Sequence, residues 1–195
     1  AGCTTVYLSF HEIGINWAAC GLVLLGICSI AAAFKYTMGK TAYGYRGLGD
    51  LFVLVFFGYV GVLGIAFLLT HTVQIIWLLP ATFSGLMAVG VLNLNNMRDH
   101  EGDKASGKNT LVVKMGFDKA KQYHALLLLT AWACMLVYLQ DWRGLLWYVL
   151  IALVCAKHLK LVWDTKDPKI LDPELKKVAL MAFVTGMFML MSVTL

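Results

Sequence analysis

Six stretches of this chain are apolar and almost free of charge, running roughly from Ile15 to Phe34, Asp50 to Thr70, Ile75 to Asn95, Tyr123 to Gln140, Gly144 to Trp163 and Val178 to Leu195. Each is near the ~17–25 residues that a helix needs to cross a bilayer. A helix packed on the core of a soluble domain would show a polar face at the helical period, and these stretches show none. The pattern predicts an all-α fold, a polytopic transmembrane helical bundle of six spans forming one membrane domain over residues 1–195. Spans four and five meet at the short turn Asp141-Trp142-Arg143 and are expected as an antiparallel pair. Pro173 and Glu174 suit the start of a helix with Asp172 as its cap, and Asp50, opening the second span, is read as a cap in preference to a ligand contact. Glycines 58, 61, 64, 85 and 90 lie inside spans, where small residues let backbones approach closely.

Composition supports this reading, because 60% apolar and 14% charged residues are far from the balance of an ordinary soluble domain. Charge placement adds orientation. Of the sixteen Lys and Arg, all but Arg143 fall in or beside three connections, Lys35 to Arg46, Arg98 to Lys121 and Lys157 to Lys177. Basic connections alternating with neutral ones place the basic face in the cytoplasm and both ends of the chain on the outer face. That bias accounts for the net charge of +5, and no Lys/Arg-rich arm with interleaved aromatics points to nucleic acid. Four of the five cysteines lie within apolar spans and read as small buried hydrophobes, not as a disulfide framework or metal motif. The chain opens at Ala1 without Met or a charged leader, which reads as a trimmed or excerpted sequence.

The chemistry gathers on the basic face. At the end of the third span, Asn95, Asp99 and Asp103 recur every fourth residue, a spacing that stacks three oxygen-bearing side chains on one side of a helix. Two carboxylates and an amide suit a hard divalent cation such as Mg²⁺, which takes one or two carboxylates plus substrate phosphates. Arg98, Lys104 and Lys108 lie within a turn or two, as a diphosphate bridged by that metal would need. The competing reading is a solvated helix end; it calls for no particular register, and aligned like charges near a bilayer are costly without a cation. A second element, Tyr36-x-x-x-Lys40 followed by Tyr43, Tyr45 and Arg46, is either an interfacial anchor or part of the same ligand site. The polar connection from Asp99 to Gln122 is the longest between spans and is expected to be functional. The five histidines show no zinc spacing, and no Walker loop or nucleophile elbow is present.

These two strings resemble the UbiA superfamily of intramembrane aromatic prenyltransferases. Asn95-x-x-x-Asp99-x-x-x-Asp103 is similar to its Asp-rich motif, and Tyr36-x-x-x-Lys40 to its Tyr-x-x-x-Lys motif. The longer runs Asn95 to Leu111 and Tyr36 to Asp50 resemble the MenA branch, which prenylates 1,4-dihydroxy-2-naphthoate. The family fold has about nine membrane helices and two Asp-rich motifs. The six spans and single motif here resemble the last two-thirds of that bundle, so the chain is expected to be a C-terminal portion.

The resemblance implies transfer of a polyprenyl group from polyprenyl diphosphate to 1,4-dihydroxy-2-naphthoate, with decarboxylation, to give demethylmenaquinone. It implies Asp99 and Asp103 holding Mg²⁺ with help from Asn95, and Asp99, Asp103, Tyr36 and Lys40 as catalytic. Asn96, Arg98, Lys104, Lys108 and Arg46 would contact the diphosphate. The setting implied is the bacterial cytoplasmic (inner) membrane, with lipid around the bundle. The alternatives are a UbiA-type enzyme for another acceptor such as 4-hydroxybenzoate, or a non-enzymatic transport bundle. The scarcity of ionisable groups at mid-membrane argues against transport.

Overall fold

A computed structural model describes residues 2–11, 17–38, 42–139 and 142–194. Eight helices are present among them: α1 (Gly2–Phe10), α2 (Trp17–Thr37), α3 (Gly49–Thr70), α4 (Leu78–Ala105), α5 (Leu111–Met115), α6 (Phe117–Tyr138), α7 (Trp142–Asp164) and α8 (Asp172–Thr194). Six of them occupy the six expected spans, and α1 is an element that the sequence pattern did not suggest. Among the described residues, four stretches are long and apolar enough to cross a membrane: Trp17–Tyr36, Gly49–Thr70, Ile75–Ala105 and Leu145–Asp164. α6 and α8 occupy the other two expected spans, each opening on a charged turn, Asp118 to Lys121 and Asp172 to Lys177. Gln140 and Leu195, the expected ends of two spans, lie outside the described residues, as do Ile15 and Asp141.

α4 is the hub. Its buried face, including Phe83, Leu86, Met87, Val89, Leu94 and Met97, meets Leu127, Leu128, Ala131 and Trp132 of α6 and Val178 and Met181 of α8. α7 closes the cluster with Ile151, Cys155 and Val162. The outer helices leave large apolar side chains bare: Leu24, Ile30 and Phe34 of α2 and Leu146 and Leu153 of α7 are more than half exposed, the mark of a surface that meets lipid or another apolar partner.

Glycines bring α3 against α4. A β-carbon at Gly58 would stand 2.6 Å from the Ala81 carbonyl oxygen, and one at Gly85 would stand 2.8 Å from the Leu54 carbonyl oxygen. In this region α3 widens into a π-helix over Leu54–Leu63, and Tyr59 Oη sits 3.0 Å from Thr82 Oγ1 across the contact. Gly58→Ala is expected to force the two backbones apart and lower stability by about 1–3 kcal/mol. Gly64→Ala, which meets nothing within 4 Å, is the control and is expected to be neutral or slightly stabilising. Thermal unfolding of the two variants in detergent checks the pair; equal melting temperatures would refute the close-approach role.

Two helix starts differ from expectation. Asp50 does not cap α3, whose N-cap position is Leu48 without a side-chain bond; Asp50 lies inside the first turn, buried, with Tyr123 within electrostatic reach. Asp172 likewise has helical backbone angles, φ −57° and ψ −49°, and the capping oxygen belongs to Asp167, which accepts from Lys169 N ahead of the 3₁₀ turn Pro168–Leu171. In both cases burial or a long-range partner claims the carboxylate that local pattern would spend on a cap.

Candidate functional site

The Asp-rich segment is helical throughout. α4 runs on to Ala105, so Asn95, Asp99 and Asp103 sit on consecutive turns of one helix and not in a loop. The connection after α4 is shorter than the polar pattern suggests. Gly107 takes a left-handed φ of 76°, Ser106 Oγ and Lys108 N both bond the Asp103 carbonyl, and Thr110 caps α5 by accepting from Val113 N.

Arg98 binds much of this face. Its Nε and Nη2 donate to the two oxygens of Asp99, each at 2.8 Å, and Nη2 also donates to Asn95 Oδ1 at 2.8 Å. Its Nη1 reaches across to Asp172 Oδ1 on α8. Asp103 is more deeply placed, 8% exposed, and accepts from Lys108 Nζ at 2.8 Å. That hydrogen bond, with the neighbouring negative charge, raises the pKa of Lys108 and keeps it protonated. Asn96 is buried, while Lys104 is exposed and takes no part in these bonds.

The Tyr36 loop docks onto this end of α4. Asn109 N donates to the Tyr45 carbonyl at 2.8 Å, Lys114 Nζ to the Arg46 carbonyl at 2.6 Å, and Lys108 Nζ lies 5.2 Å from the Tyr45 ring centroid. Gly44 leaves room for Tyr36, since a β-carbon there would stand 2.8 Å from the Tyr36 carbonyl oxygen. Tyr36 packs edge-on to Tyr43 at 5.5 Å, and Tyr43 stacks on Phe52 at 3.9 Å. Asp50 and Asp103 are both within electrostatic reach of the Tyr36 hydroxyl. The two predicted elements therefore form one site. Arg46 is exposed at its rim, and Lys40 lies outside the described residues.

Two cavities open from this site. One of about 500 Å³ runs between α3, α4 and α8, with Asn95 at its polar end and Val53, Met87, Val91, Leu92 and Leu175 along its walls. The other, about 430 Å³, is walled by Tyr36, Tyr43, Phe52 and Phe56. Both touch Val53 and Phe57, so they adjoin across α3.

A buried polar chain lies outside what zinc spacing among the histidines could show. His158 Nδ1 lies 2.6 Å from Glu174 Oε2, and His158 Nε2 lies 2.9 Å from His124 Nε2. Lys177 Nζ donates to the other Glu174 oxygen. Burial alone would push the Glu174 carboxyl up, but the hydrogen bonds from Lys177 and His158 outweigh it and hold its pKa below the usual carboxylate value. The available signal was positional: His124 falls on the same helical face as Ala120, Leu127, Leu128 and Ala131, all buried. Asp50 Oδ2 is likewise buried and without a hydrogen-bond partner beside Tyr36.

Comparison with known proteins gives this arrangement a family. The chain is 40% identical to the 1,4-dihydroxy-2-naphthoate octaprenyltransferase of Escherichia coli (strain K12) over 98% of its own length and 66% of that protein. It is 39% identical to the protein of the same name from Haemophilus influenzae over 94% of its length and 60% of that protein. With the Mycobacterium leprae protein of that name it shares 40% identity over 56% of its length, or 37% of the relative. The chain thus spans less than two thirds of the E. coli and H. influenzae relatives. No solved structure matches it closely enough to count. The model of the UbiA prenyltransferase family matches residues 2–192, nearly everything described above, and the chain, an integral membrane protein by its apolar helices, belongs to that family.

Proposed function

We propose that this chain is part of an enzyme that transfers a polyprenyl group from polyprenyl diphosphate to 1,4-dihydroxy-2-naphthoate, with release of diphosphate and CO₂, giving the hydroquinone form of demethylmenaquinone. The observation that carries the reading is the file of Asn95, Asp99 and Asp103 on α4, whose first member, Asn95, lines an apolar cavity. Similarity to proteins named for that octaprenyl transfer supports the choice of substrates. Residues 1–195 act as one membrane domain, corresponding to the later two-thirds of such an enzyme.

The donor set fits Mg²⁺. Its oxygens are hard, they are spaced by single helical turns, and they already sit against the cations of Arg98 and Lys108, so the site is built for positive charge. Asp99 and Asp103 would hold the ion with Asn95, and it would supply neutralisation of the charge that grows on the departing diphosphate. Arg98 and Lys108 offer N–H donors to the same phosphates, with Lys104, Lys40, Arg46 and Asn96 around them. The cavity leading from Asn95 takes the apolar tail. The aromatic walls of the second cavity suit a flat, electron-rich acceptor beside Tyr36. Apolar surroundings keep water from an allylic cation before the ring carbon reaches it.

Basic residues share the face that carries the site, which supports a cytoplasmic orientation of that face in the bacterial inner membrane. The test is formation of demethylmenaquinol from the two substrates in membranes, read as demethylmenaquinone after oxidation by air, with Mg²⁺ and with chelator, for the 195-residue chain and for a version extended to the length of its relatives. Mg²⁺-dependent product from the extended form is the expected result. A folded extended protein that prenylates 4-hydroxybenzoate instead would move the acceptor, and one that prenylates neither would refute the reading.

A further inference from the structure

Arg98 holds the oxygens that a metal at this site needs, and it is also held from the far side by a residue outside the Asp-rich motif. Three of its bonds go to Asn95 and Asp99 on its own helix, and the fourth goes to Asp172 on α8. We propose that Asp172 is a positioning residue that provides Arg98 with a second seat. When a divalent cation takes Asn95 and Asp99, the guanidinium keeps its hold on Asp172 and turns its freed edge toward the diphosphate. This inference rests on the metal and diphosphate reading given above.

The chemistry of the fork supports it. A guanidinium has five N–H donors in one rigid plane, and losing Asp99 frees Nε and Nη2, which lie side by side. Two parallel donors match two phosphate oxygens, the bidentate geometry at which arginine excels. An arginine released with no other anchor would swing into solvent; one pinned at Nη1 pivots in place.

Asp172 is free for this work because its own backbone is already helical, φ −57° and ψ −49°, and its carboxylate is not spent on a cap. Its position relative to α4 is set by its neighbours: Leu171 is 0% exposed and Glu174 is 1% exposed, so the start of α8 is fixed on both sides of it. The Asp172 side chain itself is 67% exposed, and an ion pair so placed adds little to stability. Its contribution is direction.

The test uses Asp172→Asn and Asp172→Glu in the full-length enzyme, with two readouts. Mn²⁺ binding, followed by electron paramagnetic resonance without substrate, reports whether Arg98 yields Asp99. Steady-state kinetics separate KM for polyprenyl diphosphate from kcat. Without its second seat Arg98 stays on Asp99, so Asp172→Asn is expected to weaken Mn²⁺ binding and raise KM by about five- to tenfold each, with kcat changed by less than about twofold. Asp172→Glu restores both. In an Arg98→Lys background, which lacks the fork, Asp172→Asn adds no further change, and this arm also serves if Asp172→Asn alone folds poorly. Mn²⁺ binding and KM unchanged in Asp172→Asn would overturn the role of Asp172 while leaving the metal site standing. No Mn²⁺ binding by the unaltered enzyme would overturn the metal reading and this role together.

Discussion

Alanine at Asp103 is expected to lower Mg²⁺-dependent prenyl transfer by about 10²–10³-fold or more, the scale of removing one preorganised charge-stabilising group. Asp103 is more buried than Asp99 and already faces Lys108, so it carries charge in the less hydrated part of the site. Asp99 is 42% exposed at its side chain and shared with Arg98; its alanine variant is expected to lose a comparable factor. The double variant should be little worse than either single one, because residues that hold one ion act as a unit. Asp103→Asn separates charge from shape, since it keeps an oxygen for Lys108 and loses the negative charge; it should fall nearly as far as alanine. The measurement is the initial rate of prenylated product against Mg²⁺ in membranes with matched protein levels. Rates within twofold of the unaltered protein at saturating Mg²⁺ in Asp99→Ala and Asp103→Ala would sink the metal assignment.

What could be read without coordinates was local. A four-residue period is a property of one helix, so the alignment of Asn95, Asp99 and Asp103 is visible in the string and persists because α4 continues to Ala105. The apolar runs located six long helices for the same reason, and the glycines of α3 and α4 announced a close crossing. The docking of the Tyr36 loop was anticipated only as a shared face; its bonds run from Asn109 and Lys114 to carbonyls of Tyr45 and Arg46, partners that no spacing connects. Asp50 and Asp172 show where local signals mislead. Both look like helix caps, but Asp50 is buried within the first turn of α3 and Asp172 is drawn away by Arg98, a residue distant in the chain. The histidine chain was illegible because α6, α7 and α8 contribute one member each, and only packing decides which faces meet.

That chain yields the largest stability effect. Glu174→Ala is expected to destabilise the fold by about 2–4 kcal/mol, from an unsatisfied buried donor together with the cavity left behind. Glu174 is 1% exposed, and alanine would leave the buried His158 Nδ1 proton without an acceptor, while the half-exposed Lys177 ammonium turns to water. His158 is also tied to His124, ring centroids 5.1 Å apart, so the loss would pass through three helices. Glu174→Gln keeps volume and one acceptor oxygen and should cost markedly less, which distinguishes lost hydrogen bonds from a lost shape. The sign with pH follows from the depressed carboxyl of Glu174. A folded pKa below the unfolded one means the stabilisation is complete above the ordinary carboxylate range and disappears as pH falls through the folded value. Unfolding by denaturant in detergent, followed by helical circular dichroism at neutral and acid pH, measures both. A loss under 1 kcal/mol in Glu174→Ala at neutral pH would show that the chain is ornamental to stability. A full loss should also reach the site, because Glu174 fixes the start of α8 and Asp172 is two residues away, holding Arg98 against the Asp-rich face.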